Sequence, residues 1–189
     1  MGRWEPNGAE RLVAAAIELY DERGFEQTTV AEIAKRAGLT ERTFFRHFAD
    51  KREVLFAGGH LLEDRIREVL AAMPAPTAAI DAVHDAIVAI SQLLEERPLD
   101  FVQRRFRVIA ANPELLERER LKLAALSAAL ANGLKQRGIK ESAATIAAEI
   151  GIAIFHTAFT RWIEGSNRQR FSQIVDASFD ELKEVAAGR

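Results

Sequence analysis

The chain has 189 residues, a formal net charge of −2, 48% apolar side chains and no cysteine. That composition excludes a disulfide framework, a thiol nucleophile and a Cys-ligated metal, and its bulk charge does not announce a nucleic-acid partner. The opening MGRWEPNG lacks the apolar core of a secretory signal, and the longest charge-free apolar run, Ile150 to Thr160, is too short for a bilayer, so a soluble cytoplasmic protein is expected.

Asn7 with Glu10 predicts a capped first helix ending at Gly24. Thr29 with Glu32 forms a capping box for a second helix, and Gly38 marks where it stops and turns. Thr40 caps a third, Glu41 to about His47, with Phe44 and Phe48 on one face at i and i+4. Two short helices joined by a tight turn make a helix-turn-helix, whose second helix is the element that enters a DNA major groove. Charge agrees locally. Lys35, Arg36, Arg42, Arg46, Lys51 and Arg52 face only Glu41 and Asp50, an excess of four (six minus two), whereas residues 1–34 carry three arginines against seven acids. A groove binder needs positive charge where phosphates lie; the plainer reading is a solvated basic helix.

Asp50 with Glu53 predicts a cap for a fourth helix through Leu55, Leu62, Ile66 and Leu70 to Met73-Pro74. Gly58-Gly59 inside it weaken the helix by about 1 kcal/mol each relative to alanine. They read either as a joint that lets the head swing or as small residues at a close packing contact. Pro74-Ala75-Pro76 is a linker, Thr77 caps a fifth helix reaching Glu96, and Pro98 suits the first turn of a sixth. Asn112-Pro113 opens a seventh, which runs to Arg137-Gly138. An eighth spans about Glu141 to Glu164, and Gly165-Ser166-Asn167 turns into a ninth, to Ala187. With no period-2 pattern, the expected class is all-α with about nine helices.

Polar residues that interrupt apolar faces mark where a ligand pocket is expected. On the sixth helix Arg105 falls among Phe101, Val102, Phe106, Val108 and Ile109; on the seventh, Glu119 interrupts Leu115, Leu116, Leu123, Leu126 and Leu130. Folded as a hairpin, these helices pair Arg105 with Glu119; the alternative makes Arg105 the anchor of an acidic ligand. On the eighth, Thr145, Glu149, His156 and Thr160 form a polar stripe beside Phe155, Phe159 and Trp162, which reads either as a mixed pocket or as groups satisfying one another across helices. The candidate ligand-binding residues are therefore Phe101, Arg105, Glu119, Glu149, Phe155, His156, Phe159 and Trp162. His60, His84 and His156 share no ligand spacing, so neither a metal nor a cofactor is expected. The eighth helix is small or apolar on nearly every side and the ninth repeats Phe171, Ile174, Val175, Phe179, Leu182 and Val185; paired with a second copy they suit a four-helix dimer interface about residues 141–164 and 168–187, or else they pack within one chain.

Residues 7–55 resemble the N-terminal domain of TetR-family transcriptional regulators in Ala16, Tyr20, Gly24, Phe25, Thr28-Thr29-Val30, Ile33-Ala34, Ala37-Gly38-Leu39, Thr43, Phe48 and Lys51. The resemblance implies a three-helix DNA-binding head over 1–52 and a helical ligand-binding and dimerisation body over 53–189. By position it also implies that Thr29, His47 and Lys51 contact phosphates, and that Thr40, Arg42, Thr43 and Phe45 face the bases. Arg42 suits guanine O6 and N7, and Phe45 a thymine methyl. Two residues depart from the family pattern: Phe45 stands where Tyr is usual and Arg42 where Gly is frequent, so the operator sequence is this chain's own. The expected function is a homodimeric, effector-released transcriptional repressor on a pseudo-palindromic double-stranded operator, responding to a small organic molecule. A DNA-bound adaptor for a protein partner is the alternative. No paired carboxylates, nucleophile motif or phosphate loop suggests an enzyme.

Overall fold

The computed structural model describes residues 8–165 and 169–188. Among them lie nine α-helices and no strand: α1 (Gly8–Arg23), α2 (Val30–Arg36), α3 (Glu41–His47), α4 (Gly59–Ala72), α5 (Ala79–Glu95), α6 (Leu99–Ala110), α7 (Pro113–Gln136), α8 (Glu141–Glu164) and α9 (Phe171–Ala186), with a 3-10 turn at Glu53–Phe56. The expected cap at Asn7 and the turn at Ser166-Asn167 lie outside the described residues. Packing groups the chain differently from a cut at residue 52. One compact unit runs up to Gly58 and takes in Asp100–Glu119; the other holds Gly59–Leu99 and the chain from Arg120 onward.

In the first unit, the i, i+4 run Leu12, Ala16, Tyr20 turns one face of α1 onto Ile33 of α2 and Phe44 of α3, all buried. Burying a phenylalanine such as Phe44 stabilises by roughly 1.5–3 kcal/mol, which lets helices as short as α2 and α3 persist. Val108 and Ile109 of α6 and Leu115 of α7 join the same core, with Phe101 packed against it. The α6–α7 corner is held by Asn112, whose side-chain amide donates to the Val108 carbonyl at 2.6 Å while its own carbonyl accepts from Leu115 and Leu116.

In the second unit α5 is the central helix, burying Ala82, Val83, Ala86, Ile87, Ala89 and Ile90 and packing on α4, α8 and α9. Gly151 of α8 permits that approach, since a Cβ there would lie 2.3 Å from Val83 Cγ1. Arg137 closes the end of α4 by donating to the carbonyls of Leu70, Met73 and Pro74 at 2.7–3.0 Å, a cation where the helix leaves its last acceptors open. At the start of α9, the Glu95 carboxylate accepts from the Ser172 N–H at 2.6 Å and from Arg170 at 3.0 Å. Burial pushes this carboxyl upward, but those donors outweigh it and hold it below the usual carboxylate range.

Three expectations about elements are corrected. The fourth helix does not run unbroken from residue 50: Asp50 does accept from the Arg52 and Glu53 N–H groups, but it starts a 3-10 turn, and Gly58 at φ +77° breaks the path before α4 begins. Thr77 is not the cap of α5; its hydroxyl donates to the Pro74 carbonyl, and Ala78 stands at the N-cap without a side-chain bond. Finally, α8 is by length and composition long and apolar enough to cross a membrane, which the run-length reading missed because it stopped at the first charge. Its buried residues, Ala144 through Ile163, pack on α5 and α9.

Candidate nucleic-acid interface

The helix-turn-helix is built by three local devices. The Thr29 hydroxyl accepts from the Glu32 N–H while the Glu32 carboxylate accepts from the Thr29 N–H at 2.9 Å, the reciprocal bonds of a capping box. At the far end, Gly38 sits at φ +65° and lets the Leu39 and Gly38 N–H groups return to the carbonyls of Ala34 and Lys35. Arg11 of α1 adds a bond to the Ala37 carbonyl. Thr40 then caps α3, its hydroxyl accepting from the Thr43 N–H at 3.2 Å and lying 3.0 Å from the Thr43 hydroxyl.

On α3 the buried Phe44 fixes the rotation of the helix, so the opposite side is presented outward. Phe45 is 56% exposed, edge-on to Phe44 with ring centroids 5.5 Å apart. Arg42, Arg46 and His47 are exposed with it, and Thr43 is half-buried. This places Thr40, Arg42, Thr43 and Phe45 on one short helix, with His47 at its last turn.

The basic residues divide into two groups. Arg36 is bound by Glu22 through both guanidinium nitrogens at 3.0–3.1 Å and by Glu18 at 3.3 Å. Arg52 is paired with Asp50 at 2.8 Å and Glu114 at 3.6 Å. These arginines hold the Glu22 and Asp50 carboxyls below their ordinary range, and Thr29 does the same for Glu32. Lys35, Arg42 and Arg46 make no ion pair among the described residues. They are the charge the motif has left to offer.

Two residues expected to meet phosphates have their side-chain donors engaged within the chain. The Lys51 ammonium donates to the carbonyls of Phe25, Glu26 and Thr28 at 2.9, 3.2 and 3.1 Å and lies 4.4 Å from the centre of the Phe25 ring. An ammonium has three donors, so all are occupied within the chain. The Thr29 hydroxyl and N–H are likewise occupied by Glu32. Tyr20, which the sequence offered only as a family match, completes the Lys51 loop clamp by donating to the Lys51 carbonyl at 2.6 Å; burial, and then Asp50, push its phenol up and keep it protonated. Arg46 was visible in the charge count but not as a site residue; its lack of a partner needed the fold.

The expected ligand residues do not converge. Arg105 meets Glu119 through two parallel bonds of 3.0 and 2.8 Å and also donates to the Leu55 carbonyl at 2.7 Å, with its guanidinium 5.5 Å from the Phe56 ring centre. Phe101 packs on the core of the first unit. Phe155, Phe159 and Trp162 pack on Phe171, with Trp162 and Phe171 stacked at 5.0 Å, so this aromatic group is filled core between α8 and α9. Glu149 and His156 are exposed, Glu149 bonded to the Ser127 hydroxyl at 2.5 Å. A cleft of about 420 Å³ lies elsewhere in the second unit, between α4 and α5, lined by Leu61, Asp64, Arg65, Glu68, Ala89, Gln92, Leu93 and Glu96. None of the eight candidates lines it. The i, i+3, i+4, i+7 spacing of 61, 64, 65, 68 and of 89, 92, 93, 96 was readable, but not that the two stripes face each other.

Comparison with known proteins points the same way as the motif. A sequence model described as bacterial regulatory proteins of the tetR family matches residues 12–57, and one described as the MftR C-terminal domain matches 77–187. Over 112 residues, 57% of this chain and 50% of the relative, the chain is 30% identical to the HTH-type transcriptional regulator TcmR of Streptomyces glaucescens. Over 115 residues, 61% of this chain and 58% of the relative, it is 28% identical to a Mycobacterium tuberculosis regulator named MftR. The matched stretch thus spans about half to three fifths of these relatives. The fold is similar to FadR of Bacillus subtilis solved with stearoyl-CoA (TM-score 0.63, 21% identical, 91% of this chain and 96% of that one). It is also similar to FadR of Thermus thermophilus solved with lauroyl-CoA (TM-score 0.56, 23% identical, 93% of each).

Proposed function

The chain belongs to the TetR family of transcriptional regulators, and from that premise we propose that it is a homodimeric repressor released from a pseudo-palindromic operator by a small organic effector. The observation that carries the DNA reading is α3 itself. A buried Phe44 orients an exposed row of Arg42, Phe45 and Arg46, and these arginines with Lys35 are the motif cations left unpaired among the described residues. Arg42 donates to guanine O6 and N7, Phe45 lies on a thymine methyl, and Thr40 and Thr43 turn their hydroxyls to the groove edge. Lys35, Arg46 and His47 meet phosphates. Lys51 and Thr29 act indirectly, by holding the α1–α2 loop and capping α2.

Two copies join through α8 and α9. What supports this is the outward row Ala143, Ile146, Ala153 and Thr157 on α8, small or apolar yet exposed in the single chain, with Ile146 61% exposed. A head that reads a few base pairs gains specificity by pairing with a second one on an inverted repeat. The protein works where DNA is, in the cytoplasm. Selection of bound fragments from genomic DNA tests the reading, run with the purified chain and with Arg42→Ala. An inverted repeat whose guanine preference relaxes in the variant is expected; no enriched sequence at physiological salt would sink the operator reader and favour an adaptor for a protein partner.

A further inference from the structure

We infer that the α4–α5 cleft is the effector site and that its occupant is an amphiphilic organic cation, an alkylammonium ion. The part of this that concerns release of DNA rests on the regulator reading above; the binding itself does not.

Three observations meet in the cleft. Its volume, about 420 Å³, falls within the range that takes small organic ligands. Its walls are aliphatic, with Ala89 buried, Leu93 half-buried and Leu61 52% exposed, a large apolar side chain left facing water. Its charge is net negative: Asp64, Glu68 and Glu96 against Arg65, minus three plus one, a net −2. Arg65 reaches Glu68 only at 3.5 Å, and Asp64 is bonded at 2.6 Å to Arg67, which is not among the lining residues. Glu96 and Gln92, on the α5 wall, have no partner among the described residues.

An apolar slot with an acidic rim selects on both counts. A carboxylate- or phosphate-bearing lipid would place like charge beside Glu68 and Glu96, whereas an ammonium group can donate to both and lay its chain along Leu61, Ala89 and Leu93. No aromatic ring lines the cleft, so there is no cage for a quaternary ammonium; a primary amine, which can donate hydrogen bonds to carboxylates, is the better match. This reverses the sign of the acidic ligand that Arg105 suggested from sequence, because Arg105 is already paired with Glu119. Occupancy would bear directly on α4, whose first residue follows Gly58.

Calorimetric titration of the full chain with decylammonium, decanol and decanoate, each below its aggregation concentration, tests the site. Decylammonium is expected to bind once per protomer and to weaken as salt rises, decanol to bind less well, and decanoate not at all. Glu96→Gln and Glu68→Gln should each weaken decylammonium about fivefold, the scale of one charge contact near water. Arg65→Gln should tighten it, an effect that mere damage to the fold would not produce. Decanoate binding as well as decylammonium, or no loss in Glu96→Gln, overturns the assignment. With the selected operator bound, decylammonium should release it. Retained DNA with intact cation binding would remove the effector role, whereas failure of the ligand-free chain to bind DNA would sink the regulator reading alone.

Discussion

Lys51 shows why charge counted along a chain overstates charge offered to a partner. A lysine next to a helix-turn-helix invites a phosphate, yet its ammonium is fully occupied by three carbonyls of the α1–α2 loop. Lys51→Met should therefore lower stability by roughly 2 kcal/mol, the order for hydrogen bonds to a charged group, and leave the salt dependence of DNA binding of the folded fraction unchanged. A slope reduced by about two units, one lysine in each head of the dimer, would return the lysine to the phosphates. The carboxylates around it give a pH signature. Glu22, Glu32, Asp50 and Glu95 are all held below their ordinary values, so the folded chain binds protons less readily than the unfolded one. Their contribution is complete above the unfolded values, about 4, and is lost as pH falls through the lower folded ones. Melting followed by circular dichroism should be flat from pH 7 to about 5 and fall steeply below about 4; a melting temperature unchanged at pH 3 would contradict it.

At the scale of elements, the segment after α3 carries the main surprise. Sequence periodicity runs through Leu55, Leu62, Ile66 and Leu70 as one helix, but the chain makes a 3-10 turn, passes Gly58 at φ +77° and only then starts α4. Periodicity reports which face is buried and is blind to a one-residue change of backbone hand. That turn is clasped from α6 and α7: Arg105 takes the Leu55 carbonyl, Arg118 pairs with Glu53, and both guanidinium groups lie 5.3–5.5 Å from the centre of the Phe56 ring. Gly58→Ala forces a left-handed residue that costs about 1–2 kcal/mol. We expect it to alter effector-driven DNA release, read by fluorescence anisotropy of labelled operator; unchanged release would remove the hinge. By contrast Gly151→Ala should lower stability without touching DNA affinity in the folded fraction, because the added methyl drives into Val83.

For the molecule as a whole, the unpaired cations set a number. If Lys35 and Arg46 neutralise phosphates in both heads of a dimer while Arg42 reads a base, the slope of log K against log salt is about −4, from roughly 0.9 per phosphate. A slope nearer about −7 would mean that the paired Arg36 and Arg52 open on DNA. The dimer has its own test. Ile146→Asp puts a charge in the exposed row of α8 without entering the core of the single chain, so sedimentation should show a folded monomer with operator affinity sharply reduced. A dimer that survives would move the interface elsewhere.

The sequence alone determined what depends on near neighbours. The Thr29-Glu32 capping box, the Thr40 cap, the Gly38 turn, the Asn112-Pro113 corner, the nine helices among the described residues and the exposed side of α3 all follow from residues within about one turn of each other, where backbone geometry leaves few choices. The pairing of Arg105 with Glu119 was also legible, because a hairpin links two nearby helices at equal distances from its corner. Tertiary structure alone decided which charges remain available and where a ligand finds room. Arg36 is paired with Glu22, 14 positions away, Arg52 is shared between neighbouring Asp50 and distant Glu114, the Lys51 donors are taken up by loop carbonyls, and the α4–α5 cleft exists only because two helices present matching stripes to each other. Such pairings depend on how faces meet through space, which no local spacing encodes.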